Sequence, residues 1–174
     1  MAGDDAEDFS AFYARNYRRI HEYVLRRVPN LFAEDIVSDT FTIAWTKWDA
    51  AKQSGIPWLY KTASHLVNNL LRSSGMKDTP LSLMIESPGD DGISDGAYDA
   101  LCALRAMKIE DREILMLSAW EGLTPTEIAK VLDCNVGTAY VRIHRARARL
   151  VRELEGKPDG RSGHAKQRSI AQGG

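Results

Sequence analysis

Arg142, Arg145, Arg149 and Arg152 recur every three or four residues, with Arg147 among them and no carboxylate between Asn135 and Arg152. At 100° per residue the four fall on one side of a helix, with Thr138 beside them. A guanidinium is permanently charged and presents a fork of donors that matches phosphate oxygens and the edge of guanine. The chemistry on offer is recognition of nucleic acid, not the making of bonds. Gly137 and Thr138 are small enough to let a backbone approach closely. Gly137, Thr138, Val141, Arg142 and Arg145 are therefore the candidate base-proximal residues, and Arg147, Arg149 and Arg152 the candidate phosphate clamps. The plain alternative is a solvated arginine face on an amphipathic helix.

The elements that must position these residues are two helices and a turn. Thr124 is placed to cap the first helix, with Pro125 at its first position and Glu127 three residues on to complete a capping box. Ile128, Ala129 and Leu132 give that helix an apolar side. Asp133, Cys134 and Asn135 supply the turn. A second helix, from about Val136 to Leu154, carries Val136, Ala139, Ile143, Ala146 and Leu150 on the stripe facing the first. An apolar back, an arginine front and a tight turn together describe a helix-turn-helix for the major groove of DNA.

The rest of the chain also reads as helical, because apolar residues recur at spacings of three and four and rarely alternate. Phe9, Phe12, Tyr13, Tyr17, Ile20, Val24 and Val28 predict one amphipathic helix stopped at Pro29, with Arg15, Arg18, Arg19, Arg26 and Arg27 on its polar side, a solvated face at least as readily as a nucleic-acid one. A second helix is predicted near Ala33, with Glu34 and Asp35 in its first turn and Val37, Phe41, Ala44 and Trp48 buried. Asp35, Ser38, Asp39 and Thr42 then form an acidic and polar patch suited to a basic partner. The Ser54-Gly55 pair predicts a loop over Asp49 to Ile56. Pro57 opens a third helix that runs to about Arg72. Its core side is Trp58, Leu59, Thr62, Ala63, Leu66 and Leu70, and Lys61, His65, Asn68, Asn69 and Arg72 face outward. Polar donors beside aromatic rings suit single-stranded DNA, although Trp45, Trp48 and Trp58 read more simply as core. Leu101, Leu104 and Met107, then Ile114, Leu115, Leu117 and Trp120, predict two further helices under the helix-turn-helix.

Composition narrows the function. The chain has 174 residues and a formal net charge of −1, with 44% hydrophobic residues. It has room for one large or two small domains. Cys102 and Cys134 are its only cysteines, which argues against a disulfide scaffold and for a reducing compartment. The acidic start MAGDDAEDFS is not a signal peptide, and no stretch reaches the roughly 20 apolar residues of a membrane span. His21, His65, His144 and His164 are solitary, so neither a metal nor a cofactor is expected. No nucleophile elbow, phosphate loop or HExxH pattern occurs, and no enzymatic activity is expected. The positive charge is local: Asn135 to Arg152 carries +5, while Met76 to Gly96 carries −4. A chain without a basic surplus holds DNA weakly alone, which suits one that a larger machine presents to its target.

Two blocks, taken together, resemble a family. AEDIVSDTFTIAWTKW from Ala33, followed by IPWLYKTASHLVNNLLRS from Ile56, is similar to the first domain of the extracytoplasmic-function sigma factors of bacterial RNA polymerase. LTPTEIAKVLDCNVGTAYVRIHRARARL from Leu123 resembles the helix-turn-helix of their second domain. The resemblance covers nearly all of the chain before Gly156. It implies a non-enzymatic, cytoplasmic promoter-specificity subunit that joins core RNA polymerase, recognises minus-35 and minus-10 elements and promotes strand opening. On matching positions, Asp35, Ser38 and Asp39 meet core polymerase. Lys52 and Gln53, in the segment that captures a flipped base, join Lys61, His65, Asn69 and Arg72 at the minus-10 element. Gly137, Thr138, Val141, Arg142, Arg145 and Arg149 meet the minus-35 element. An anti-sigma protein is a further expected partner, and no membrane insertion is expected.

The implied fold is all-α. A first domain (1–75) and a second, helix-turn-helix domain (97–156) are joined by a flexible acidic linker (76–96), and a disordered tail (157–174) follows. Some positions depart from the family pattern. Ser64 and His65 stand for a usual arginine-asparagine pair, Asn69 for a common aspartate, Tyr140 and Val141 for lysine-serine, and Asp133-Cys134 for the usual glycine of the turn. Two other readings remain open on the residues alone. One is a dimeric regulator that binds duplex DNA by itself; the other is a purely protein-binding helical module.

Overall fold

A computed structural model describes residues 2–76 and 95–156, with side chains from Asp5 to Met76 and from Gly96 onward. The expected linker, apart from its ends, and the expected tail lie outside the described residues. Among the described residues all regular structure is helical, in two groups: α1 (Ala2–Leu25), α2 (Asn30–Thr46), α3 (Trp48–Ser54) and α4 (Ile56–Ser74), then α5 (Asp95–Ala106), α6 (Ile109–Ala119), α7 (Pro125–Val131) and α8 (Val136–Glu155).

In the first group α1, α2 and α4 pack on one another and α3 bridges α2 and α4. α1 is longer at its start than the apolar period predicts and ends earlier, at Leu25. Pro29 disfavours helical geometry in the residue before it, and the chain turns at once, with the amides of Arg27 and Val28 both bonded to the carbonyl of Val24 at 2.8 and 3.0 Å. Because α2 then starts directly after Pro29, Glu34 is not in its first turn. Its carboxylate instead accepts from the Tyr17 hydroxyl at 3.0 Å and lies 2.9 Å from Nε2 of His21, fastening α2 to α1.

The predicted loop over Asp49 to Ile56 is mostly helical. α2 breaks at Lys47 (φ −116°, ψ 41°) and α3 follows at once, burying Trp48 and Ala51 before Gly55 ends it at φ 67°. Trp48 is thus a core residue, but of α3 and not of α2; it meets Phe9 and Phe12 edge-on at centroid distances of 5.2 and 5.3 Å. Trp45 belongs to no core and is 48% exposed.

α4 is buried on a broader arc than one stripe. Leu59, Tyr60, Ala63 and Val67 are buried, while Trp58, Thr62, Leu66 and Leu70 of the predicted stripe are half-buried. The cause is that α4 has four neighbours: α1, α2 and α3 in its own group and α7 in the other. Tyr23 and Tyr60, both fully buried, meet edge to face at 5.1 Å. Each large side chain sequestered in this way stabilises the fold by about 1.5–3 kcal/mol.

In the second group α8 packs across α5, α6 and α7. Leu101, Leu104, Met107, Ile114, Leu115 and Leu117 are buried as their spacing predicts, whereas Trp120 is 41% exposed, because α6 ends at Ala119 and the chain turns away.

Candidate nucleic-acid interface

The helix-turn-helix is built by its caps. The Thr124 hydroxyl accepts from the Glu127 amide at 3.3 Å, and the Glu127 carboxylate accepts from the Thr124 amide at 2.8 Å, which is the complete capping box with Pro125 in the first turn. α7 ends at Leu132. The turn is made by Asp133 at φ 55°, left-handed geometry that short polar side chains tolerate better than most. Asn135 then caps α8, its Oδ1 accepting from the Thr138 amide at 2.7 Å. That bond fixes the turn carrying Gly137 and Thr138, the residues expected to approach the bases.

Ala139, Ile143 and Ala146 are buried against the rest of the group and Leu150 is half-buried, but Val136 is 39% exposed, being at the helix start where α7 no longer covers it. Gly137, Thr138, Val141 and Arg145 stand exposed together on the outer side of the first turns. The remaining arginines differ. Arg142 is half-buried and lines a cavity of about 300 Å³ between the two groups, with Tyr23, Arg26, Ser64 and Asn68 on the far wall. Arg149 is paired with Asp111, Arg147 donates to the Ser118 hydroxyl at 3.3 Å, and Arg152 donates to the Ala148 carbonyl at 3.3 Å. Arg147, Arg149 and Arg152 are all exposed, so these contacts are ones that a phosphate could replace at little cost.

On the first group, Lys61 and His65 share a cleft of about 370 Å³ with Lys47, Trp58 and Leu66. Gln53 reaches Trp58 and Lys61 from the other side, in a second cleft of about 380 Å³ that Lys130 of α7 also lines. The structure therefore brings Gln53, Lys61 and His65 around one half-buried indole. Lys52 lies apart: it pairs with Asp8 of α1 and sits 5.8 Å from the Trp48 ring. Asn69 and Arg72 are exposed further along α4 and line neither cleft. Asp35, Ser38 and Asp39 are exposed on α2. Ser38 borders an aromatic groove of about 440 Å³ lined by Phe9, Tyr13, Tyr17, Phe41 and Trp45. That groove is not apparent from sequence periodicity, because its rings come from two helices.

The sequence also places Arg26 and Arg27 on a solvated face, and here the structure differs. The Arg26 and Arg27 side chains are only 16% and 5% exposed. Arg27 donates to both oxygens of Glu113 at 2.9 and 3.2 Å through Nε, and to Glu121 at 3.2 Å; Arg26 donates to Glu121 at 2.8 Å. Tyr23 adds a hydroxyl donated to Glu113 at 3.2 Å, and Arg27 lies over its ring at 3.6 Å. Burial is the largest single influence on Arg27 and lowers its proton affinity, but the charge and hydrogen bonds of Glu113, with Tyr23 and Glu121, together outweigh it and hold the guanidinium ionised. Burial also pushes the Tyr23 phenol well up, so it stays a donor. A signal was present in the sequence: Arg27 lies three and four residues beyond Val24 and Tyr23, on the apolar stripe itself.

Among the described residues no group of three or more His, Cys, Asp or Glu could hold a metal, and no helix is long and apolar enough to cross a membrane. Cys102 and Cys134 are both half-buried free thiols.

Two family profiles match the chain. "Sigma-70 region 2" covers residues 12–76 and "Sigma-70, region 4" covers residues 99–150. The RNA polymerase sigma-E factor of Streptomyces avermitilis is 24% identical over 162 residues, which is 90% of this chain and 90% of the relative. The ECF RNA polymerase sigma-E factor of Escherichia coli is 24% identical over 170 residues, 87% of this chain and 88% of that one. Two solved structures share the fold. The sigma factor RpoE of Bartonella quintana, in complex with the anti-sigma factor NepR, has a TM-score of 0.64 at 23% identity, over 87% of this chain and 99% of that one. CnrH, in complex with the cytosolic domain of CnrY, has a TM-score of 0.66 at 23% identity, over 88% and 91%.

Proposed function

The chain belongs to the sigma-70 family as an extracytoplasmic-function sigma factor, a non-enzymatic promoter-specificity subunit of RNA polymerase, and on that premise we propose how its surfaces divide the work. α8 reads the minus-35 element through Gly137, Thr138, Val141, Arg142 and Arg145, with Arg149 on phosphate. α3 and α4 take the minus-10 element, with Gln53, Lys61 and His65 around Trp58, Asn69 and Arg72 further along, and Lys52 released from Asp8. A base turned out of the duplex stacks on the indole while lysine and histidine hold the strand, which favours the opened state of the promoter. Asp35, Ser38 and Asp39 meet core polymerase, and the aromatic groove beside Ser38 receives apolar side chains there. The two functional domains divide at 1–75 and 97–156.

The observation that carries this reading is the capped start of α8. Gly137, Thr138, Val141 and Arg145 stand free on one surface, held by Asn135, as a helix that enters the major groove requires. The proposed partners are core RNA polymerase, promoter DNA and an anti-sigma protein, the last because RpoE is solved with the anti-sigma factor NepR. The proposed compartment is the bacterial cytoplasm, where polymerase works.

Run-off transcription with purified bacterial core polymerase, with and without the chain, on a library of genomic fragments tests the assignment. Transcripts starting at fixed sites only when the chain is present are expected, and alignment of those sites reveals both elements. Absence of such transcripts, with tight DNA binding by the chain alone, would replace this reading with that of an autonomous regulator.

A further inference from the structure

Each base presents a different edge in the major groove and calls for a different reader. Arginine suits guanine, asparagine or glutamine suits adenine, a carboxylate suits cytosine, and an apolar group suits the methyl of thymine. Between Val136 and Arg152, α8 carries no carboxylate and no side-chain amide. Asn135, just ahead of it, has its Oδ1 committed to the Thr138 amide. Thr138 and His144 can bond to more than one base, so of the residues with a strict preference only arginines and apolar side chains remain.

Val141 supplies the apolar kind. It lies two residues from Ala139 and two from Ile143, both buried, so the helical period sets it on the opposite face. It is 49% exposed and takes no part in the hydrophobic core. Thr138 stands one turn before it and Arg145 one turn after it, both exposed. Val136 and Tyr140 are exposed too, but they lie about 60° and about 100° round the helix from Ala139, on its flank. An apolar residue scattered on a surface carries no message by itself; this one stands between two of the readers assigned above. Its branch at Cβ makes it a poorer helix former than alanine, and the same branch holds its two methyl groups in one preferred rotamer.

We propose that Val141, with the methyl of Thr138 beside it, is the thymine reader of α8, packing on the C5-methyl of one thymine in the minus-35 element while Arg145 takes a neighbouring guanine or phosphate. The proposal deepens the promoter reading given above and rests on it. No hydrogen bond is made in this contact, so it discriminates by apolar surface alone. Thymine is preferred over cytosine, and also over uracil, which offers the same hydrogen-bonding edge without the methyl. Because every thymine faces an adenine, the helix recognises an A·T pair through its pyrimidine and needs no amide for its purine.

The test uses the full chain assembled with core polymerase and a promoter fragment recovered from the run-off transcripts. Each thymine of the minus-35 element, on either strand, is replaced in turn by deoxyuridine, which keeps the pairing and removes only the methyl. One replacement should weaken binding by the wild-type chain roughly fourfold, the worth of one buried methyl group. Val141→Ala should bind the thymine fragment more weakly than wild type does, and at that position should distinguish thymine from uracil by less than about twofold, because the two changes remove the same contact. Helical circular dichroism and thermal unfolding check that the variant folds as wild type does. Indifference of the wild-type chain to uracil at every thymine, a minus-35 element with no thymine on either strand, or a thymine preference that survives Val141→Ala unchanged overturns the proposal. The same titration includes a fragment with a scrambled minus-35 element. If wild type binds it as well as the native one, the promoter reading of α8 falls and the proposal with it; if wild type prefers the native element but shows no uracil effect, the proposal falls alone.

Discussion

Arg142 and Arg145 lie on neighbouring turns of the same helix, yet their surroundings give them different costs of use. Arg145 is exposed beside Thr138 and needs no rearrangement to reach a base edge or a phosphate; Arg142 must first leave the cleft wall it shares with Tyr23 and Asn68. Arg145→Ala is therefore expected to weaken promoter binding by the polymerase complex by about 1–3 kcal/mol. The check is titration against promoter fragments altered one base at a time: a base-reading arginine loses affinity for the native minus-35 element and relaxes preference at one position, whereas a phosphate contact weakens all fragments alike. Asp133 shows a different residue-scale compromise. Glycine would adopt φ 55° without strain, but the carboxylate there gains Lys61 as a partner.

At the scale of elements, α7 depends on its side-chain cap more than on its length, and α8 is fixed at its start by Asn135. α7 is a single short helix of seven residues, too short to hold by propensity, and the Thr124–Glu127 box satisfies amides that would otherwise be unpaired. Asn135→Ala should cost about 1 kcal/mol of stability, and it should fray the turn bearing Gly137 and Thr138. Thermal unfolding and minus-35 affinity are expected to fall together, while a loss of stability with unchanged affinity would show that the first turn does not touch DNA. This element was legible in the sequence because cap, apolar period and turn agree. α3 was not, because the Ser54-Gly55 pair that ends the helix reads as a loop and seven residues show no period. The buried arc of α4 was misjudged because one amphipathic stripe presumes one partner, and α4 has four. Of the candidate interface, Gly137, Thr138, Val141 and Arg145 were legible as a group. The Arg27–Glu113–Glu121 network was not, since its members lie some ninety residues apart and only folding brings them together.

For the whole molecule, a net charge of −1 coexists with a strongly basic helix, and this sets what the free chain can do. Non-specific attraction to DNA comes from released counterions, and it scales with the number of phosphates neutralised. The free chain is expected to bind duplex weakly and with a shallow salt dependence, and the polymerase complex to bind tightly and with a steeper one. Fluorescence anisotropy of a labelled promoter across a salt series measures both slopes; equal slopes would mean that the chain alone supplies the phosphate contacts. On that expectation the groups of helices contribute specificity, and affinity is left to the assembled enzyme.

The four tryptophans, finally, fall one to each environment. Trp45 lines the groove proposed for polymerase, Trp58 shares a cleft with Lys61 and His65, Trp120 precedes Glu121, which pairs with Arg26 and Arg27 of the other group, and Trp48 is sealed in the core at 8% exposure. Intrinsic emission from single-tryptophan variants would therefore resolve the order of events in initiation. Trp45 would report docking, Trp120 any change where the two groups meet, and Trp58 the arrival of an unpaired base by quenching, with Trp48 as an internal standard that none of these steps should disturb.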